Sequence, residues 1–459
     1  MTLWTAKEAV LATNGKTTGD WVANGLSIDT RSITKGEMFI ALKDQRDGHD
    51  FVANALAAGA SVALVSRVPD GVPEDAPLLI VDDVLNALQD MAQFARARTD
   101  AHVIGVTGSV GKTSTKEMLR KALSDCGRVH AAERSFNNHW GVPLTLARMP
   151  ADTDYAVIEI GMNHPDEIRP LAKLADLDVA IVTNVAAVHM EAFESIEQIA
   201  HAKAEIFESL NANTTAIVNC DIPTVSILTD MVTKVDAKLV TFGQNKSADY
   251  RILKIEGVGA VTKVIADIDG QERMYEFQAA GDHFAMNALA VLAAGVAVGC
   301  DLDKVIRGMA KWTAPVGRGA RSVVALNDGQ ITLIDESYNA NPSSMASALA
   351  VLGACTPTGR RVAILGEMGE LGETELQRHG ELADLDSVVN VDIFHLVGPM
   401  MKEMYNALPV GKRGVWVNSA DDLVGQINAL LMAGDTVMVK GSNYTRVSRV
   451  VDVIKNISA

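Results

Sequence analysis

Short apolar runs closed off by Gly, Pro, Asn or Asp alternate along most of this chain with longer segments whose apolar residues recur at helical spacing. Strands and helices in repeated succession predict an α/β fold built on parallel sheets. Residues 51–60 have the spacing of a helix and 61–66 read as the strand after it; Pro69, Gly71, Pro73 and Pro77 then mark a loop before a strand at 78–81. From about residue 100 the alternation becomes regular, with apolar strands at 102–106, 155–161 and 179–185. Residues 249–280 interrupt it as a β-rich excursion, and 284–298, broken only by Asn287, reads as a buried helix. Pro315, Gly317, Arg318 and Gly319 have the composition of a hinge, and beyond them strands return near 331–336, 361–366, 393–398, 414–418 and 435–440. The pattern divides the chain into three α/β units, 1–99, 100–314 and 315–459.

The first regular strand runs into 105–115, Gly-Val-Thr-Gly-Ser-Val-Gly-Lys-Thr-Ser-Thr, and then into helical spacing at 116–123. Glycines let the backbone close around a phosphate, and a helix start offers it unpaired N–H groups. A polyphosphate is the expected guest. Lys112 is placed as a point charge on its β and γ phosphates, and the Thr113 hydroxyl as a Mg²⁺ ligand. The strict phosphate-loop pattern has a glycine where this chain has Val106; the glycines present are Gly105, Gly108 and Gly111. The next strand ends in Glu159, and a carboxylate at the carboxyl end of such a strand faces the ligand crevice, which makes it the candidate second group for Mg²⁺. The strand after that leads to His189, either a third group at this site or a structural histidine. In 195–210, Ile196, Ile199, Lys203, Phe207 and Leu210 share one stripe. Lys203 therefore either snorkels to solvent or is buried with a lowered pKa, its free amine then able to take up CO₂ as an anionic carbamate.

Composition narrows the partners. In 459 residues, 57 Asp and Glu against 41 Lys and Arg give a net charge of −16, which excludes a general nucleic-acid surface. Cys126, Cys220, Cys300 and Cys355 stand far apart without CxxC spacing and read as reduced core residues of a cytoplasmic protein. No basic segment followed by an apolar run opens the chain, and the longest apolar run is too short to span a bilayer, so no signal peptide and no integral membrane segment are expected. Further polar clusters follow predicted strands. Ser27, Asp29, Thr30 and Arg31 could hold a phosphate or nucleobase, or form a capped turn with a surface ion pair. Asn137 and Asn138 lie in a polar, aromatic loop, and Asn163 follows the strand of Glu159. The run Asp335-Glu336-Ser337-Tyr338-Asn339-Ala340-Asn341-Pro342 is costly to place after an apolar strand unless it meets a ligand or another domain. Gly366-Glu367-Met368-Gly369 and Lys440-Gly441-Ser442 fall at strand ends on the same sheet edge, which is expected to face the ATP site.

These motifs resemble the Mur ligase family over essentially the whole length, in that family's three-domain order. The phosphate loop is shared with folylpolyglutamate synthases and does not discriminate. Ser27-Ile28-Asp29-Thr30-Arg31 with Gly36 and Phe39 resembles the UDP-binding segment of members that add the third and later residues. The 335–342 run followed by Ser343-Ser344-Met345 resembles the branch that adds D-alanyl-D-alanine. The resemblance implies a small N-terminal α/β domain binding the UDP substrate, a central P-loop-type doubly wound ATP domain, and a C-terminal Rossmann-like domain binding the incoming dipeptide. It implies an ATP-dependent, Mg²⁺-dependent ligase, monomeric and cytoplasmic, joining D-Ala-D-Ala to UDP-N-acetylmuramoyl-tripeptide in peptidoglycan precursor synthesis. By that resemblance Gly108, Ser109, Gly111, Lys112, Thr113, Ser114, Asn287, Arg318 and Asp335 bind ATP. Glu159, His189 and Lys203, the last as a carbamate, join Thr113 at the metal and serve catalysis with Lys112. Ser27, Asp29, Thr30, Arg31, Asn137, Asn138 and Asn163 line the UDP-linked substrate, and Tyr338, Asn339 and Asn341 the dipeptide. The sequence departs from the family after Lys440-Gly441-Ser442, where an Arg is usual and Asn443-Tyr444-Thr445-Arg446 stands instead. A phosphotransferase or a nucleotide sensor built on the same loop are the competing readings.

Overall fold

The computed structural model describes residues 2–188, 190–258 and 261–457. Three larger sheets follow one another along it, beside a two-stranded antiparallel pair of Trp4–Thr5 with Val22–Ala23. The first has the order Lys16–Thr17, Leu78–Ile80, Val62–Val65, Glu37–Ile40, Gly25–Ser27, parallel except for its first strand. The last runs Ala320–Leu326, Gly329–Glu336, Thr436–Lys440, Arg361–Gly366, Ile393–Val397, Arg413–Val417 and is parallel after an antiparallel first pair.

The central sheet has nine strands, in the order Gln271–Phe277, Val261–Ile268, Tyr250–Val258, Lys238–Gly243, Thr215–Asn219, Val179–Val182, His102–Thr107, Tyr155–Glu159, Val129–Ala131. All run the same way except Val261–Ile268, which is antiparallel to both its neighbours. Thr215–Asn219 is buried along its whole length, as expected of a strand with helices on both faces of its sheet. One face packs on Met118, Leu119 and the apolar helix Asp282–Ala297, the other on Ile168, Ile199 and Phe207. That helix is apolar all round because the sheet and its neighbours leave it almost no exposed side. His102–Thr107 has Tyr155–Glu159 on one side and Val179–Val182 on the other. The connections therefore leave it in opposite directions and open a crevice at its carboxyl end.

Two elements depart from the sequence expectation. The helix expected at 116–123 starts at Lys112 and runs Lys112–Ala122, so the phosphate-loop lysine is itself the first helical residue. The single helix expected at 195–210 is Ile196–Ala204 followed by a 3₁₀ segment, Glu205–Ser209. There the buried Glu205 carboxylate accepts the Asp166 and Arg169 N–H groups at 2.8 and 3.0 Å, capping the helix Ile168–Ala175.

Candidate active site

The phosphate loop is held by two glycines at positive φ. Gly108 has φ +149° and Gly111 φ +88°, and a Cβ at Gly108 would lie 2.0 Å from the Thr183 hydroxyl. The loop thus sits against the end of the neighbouring strand with no room for a side chain. Lys112 turns back to donate to the Gly108 carbonyl at 2.6 Å. Burial pushes its pKa down, while the Glu159 carboxylate pulls it back up.

Thr113 is the node of the site. Its hydroxyl donates to Glu159 Oε1 at 3.0 Å and lies 3.0 Å from the Ser135 hydroxyl; Asn137 donates to the same carboxylate oxygen at 2.8 Å. The other oxygen, Oε2, is buried without a hydrogen-bond partner. A desolvated carboxylate oxygen of this kind beside a hydroxyl suits a hard divalent cation, which takes oxygen ligands. Ser135 also accepts from Arg318 Nη2 at 3.4 Å, and the Arg318 guanidinium stacks 4.2 Å from the centre of the Tyr338 ring. Lys116, wholly buried, supports this arm by donating to the Ala132 carbonyl at 2.6 Å and the Arg134 carbonyl at 3.3 Å.

One cavity of about 690 Å³ gathers these groups from the central and C-terminal domains. Ser109, Gly111, Lys112, Thr113, Ser114, Glu159, Asn137, Asn163 and Asn287 line it from the central side; Arg318, Tyr338, Asn339 and Asn341 line it from the other. A second cavity of about 880 Å³ is lined by Asp29, Thr30, Arg31, Arg46, Phe51 and Trp140, among others. Asp29 and Arg31 form an ion pair at 2.7 Å there, which holds the Asp29 carboxyl at about 2, so the capped turn and the cavity wall are the same residues. The loop carrying Asn137 serves both cavities, since His139 and Trp140 line the second.

Several expected residues lie elsewhere. His189 falls outside the described residues. Ser27 is buried and exchanges hydrogen bonds with the Asp29 backbone. Asn138 accepts the Gly141 N–H at 2.9 Å and shapes the turn into the helix Gly141–Ala147. Lys203 is buried and does not line the cavity; desolvation, then the charge of Lys112, lowers its pKa well below that of an ordinary lysine, so the snorkelling alternative is excluded.

Asp335 does not line the cavity. Its Oδ1 accepts the Ser337 hydroxyl at 2.6 Å and its Oδ2 lies 3.5 Å from Lys455 Nζ. Glu336, the next residue, faces the cavity instead, because successive strand residues point to opposite sides. Ser135 escaped the sequence reading, and Glu336 stood in the marked 335–342 run without a role of its own. The signal for Ser135 was position, two residues before Asn137 in the same polar loop.

Comparison with known proteins agrees with this layout. The Mur ligase family catalytic domain matches residues 22–96, the Mur ligase middle domain 106–295, and the Mur ligase glutamate ligase domain 321–443. The chain is 31% identical to the UDP-N-acetylmuramoyl-tripeptide–D-alanyl-D-alanine ligase of Rickettsia prowazekii, covering 98% of this chain and 99% of that one. It is 35% identical to the Escherichia coli enzyme of the same name over 96% of each. Among solved structures it resembles MurF from Acinetobacter baumannii with a TM-score of 0.82 and 27% identity, covering 98% of this chain and 99% of that one.

Proposed function

The chain belongs to the Mur ligase family, and from that premise we infer that it is the ligase joining D-Ala-D-Ala to UDP-N-acetylmuramoyl-tripeptide with cleavage of ATP to ADP and phosphate. The observation that carries this reading is the single cavity holding both the phosphate loop and the 338–341 loop. A group activated by phosphoryl transfer at one wall stands there within reach of an amine bound at the other.

The roles follow from the geometry. The loop from Ser109 to Ser114 cradles the phosphates, and Lys112, once it exchanges the Gly108 carbonyl for them, takes up charge as the γ-phosphoryl moves to the substrate carboxylate. Thr113 and Glu159 would hold Mg²⁺, which would supply neutralisation of phosphate charge; by the family resemblance His189 and Lys203, the latter as a carbamate, would complete its ligand set. Asn287, and Glu336 in place of Asp335, reach the nucleoside. The cavity of Asp29 to Arg31 takes the UDP end, with Asn137 and Asn163 leading its peptide toward the phosphates. The acyl phosphate must be kept from water, and Arg318, bound to Ser135 and stacked on Tyr338, keeps the two walls together while the dipeptide amine attacks the acyl carbon. Its substrates are cytoplasmic metabolites, and we place the enzyme with them.

The test is phosphate release from ATP with UDP-N-acetylmuramoyl-tripeptide present and amine acceptors added singly. Release that depends on D-Ala-D-Ala, with the matching amide by mass, is expected. Release with another acceptor alone overturns the assignment of the acceptor, and phosphorylated product without amide replaces the ligase by a phosphotransferase. Lys112→Ala is expected to abolish release while leaving the unfolding midpoint close to that of the parent.

A further inference from the structure

The incoming dipeptide is a zwitterion, and its carboxylate must enter the same cavity as its amine. Stripping a carboxylate of water without a cationic partner is costly. Among the described residues, three lysine or arginine side chains line the cavity: Lys112, Arg318 and Lys440. Lys112 is committed to the phosphate loop. Arg318 leans over Tyr338 toward Ser135, on the side of Thr113. Lys440 remains, at the end of the strand Thr436–Lys440, on the wall that also carries Asn339 and Ser442.

Its surroundings suit a receptor of one anion. The side chain is almost wholly buried, at 3% exposure, so its position is fixed and its field little screened. Of its three N–H donors, one goes to the Asn339 carbonyl at 2.9 Å. A second faces Glu336 at 3.5 Å, at the limit of a hydrogen bond. No other acceptor lies within hydrogen-bond range among the described residues, which leaves a donor for a ligand. The bond to Asn339 also ties the ammonium to the loop proposed to hold the dipeptide. Burial lowers the pKa of Lys440 and Glu336 raises it again; a carboxylate drawn alongside favours the charged form further.

We propose that Lys440 is the specificity-determining residue that receives the C-terminal carboxylate of the incoming dipeptide. This rests on D-Ala-D-Ala being the acceptor. The site then selects acceptors with a free carboxylate one residue beyond the reacting amine, and rejects the same dipeptide capped as an amide.

The experiment compares D-Ala-D-Ala with D-alanyl-D-alaninamide in the wild type, in Lys440→Gln and in Lys440→Arg, reading kcat/KM for each acceptor at saturating ATP. Wild type is expected to favour the acid on the order of 10- to 100-fold, the usual range for one charged hydrogen bond. Lys440→Gln is expected to lose that preference, by losing activity on the acid and little on the amide, and Lys440→Arg to keep part of it. The readout is a ratio within one protein sample, so partial unfolding, which lowers both rates alike, does not imitate the effect. Equal use of acid and amide by the wild type overturns the proposal, and so does an unchanged preference in Lys440→Gln. Wild type that turns over neither acceptor removes instead the reading of the acceptor itself.

Discussion

One oxygen of the Glu159 carboxylate takes the Thr113 hydroxyl and the Asn137 amide, and the other is buried with no partner. A negative group kept in that state contributes little to the fold and a great deal to a cation. Glu159→Gln keeps the shape and removes the charge, so turnover is expected to fall on the order of 100-fold or more, with an unfolding midpoint equal to or above the parent's. Near-normal turnover in a folded variant would show that the carboxylate has no part in the chemistry. Asp335 is the opposite case. It was legible in the sequence as one of a costly polar run, but a run shows the period of a strand and not its phase. Only the packing reveals that Asp335 points at Ser337 and Lys455 while Glu336 points at the cavity. Asp335→Asn is therefore expected to lower stability by about 1–3 kcal/mol in a denaturant titration with little change in KM for ATP. Glu336→Gln is expected to raise KM for ATP with little change in stability.

At the scale of elements, the strand, loop and helix around Lys112 were legible because three local rules agree there: an apolar run, spaced glycines, and helical periodicity after them. The lysine at 203 was visible as an anomaly on an apolar stripe, but not as buried, since helical spacing cannot tell a rim position from a covered one. Nor could it show that Glu205 ends the helix by capping another one. The loop itself yields a sharp expectation. At Gly108, φ is +149° and an added Cβ would lie 2.0 Å from the Thr183 hydroxyl, which in turn donates to the Val110 carbonyl at 2.6 Å. Gly108→Ala must displace both the loop and the adjoining strand end, and is expected to cost about 2–4 kcal/mol together with most ATP binding. Calorimetry with and without ATP reads both losses in one variant, and a variant that binds ATP normally contradicts the packing described here.

Across the whole molecule the α/β alternation was legible, although short strands such as Gly25–Ser27, Glu37–Ile40, Val129–Ala131 and Ala320–Leu326 were not marked by it, whereas the cavities were not legible, because each is made by loops far apart in sequence. The same is true of a property spread over the chain, its response to acid. His130, His283, His379 and His395 are all held below the ordinary histidine pKa, in each case first by burial, and none gains a carboxylate strong enough to reverse it. His395 is the extreme, pushed down to about 4; its Nδ1 accepts the Val415 N–H at 3.1 Å, while Nε2 is buried with no partner. Between pH 6.5 and 4 the unfolded chain binds a proton at this residue and the folded chain does not, so stability falls as pH falls through that window. From His395 alone the loss approaches about 3 kcal/mol by pH 4, and the other three act in the same direction. His379 connects this to the site: its Nε2 accepts the Met368 N–H at 2.9 Å, an acceptor that protonation removes, next to Gly369 in the cavity wall. Urea titrations at steps from pH 7.5 to 4 are expected to show this decline. His395→Phe, which keeps a ring of similar size and cannot titrate, is expected to flatten the slope between pH 6.5 and 4; an unchanged slope in that variant would place the acid sensitivity in other groups.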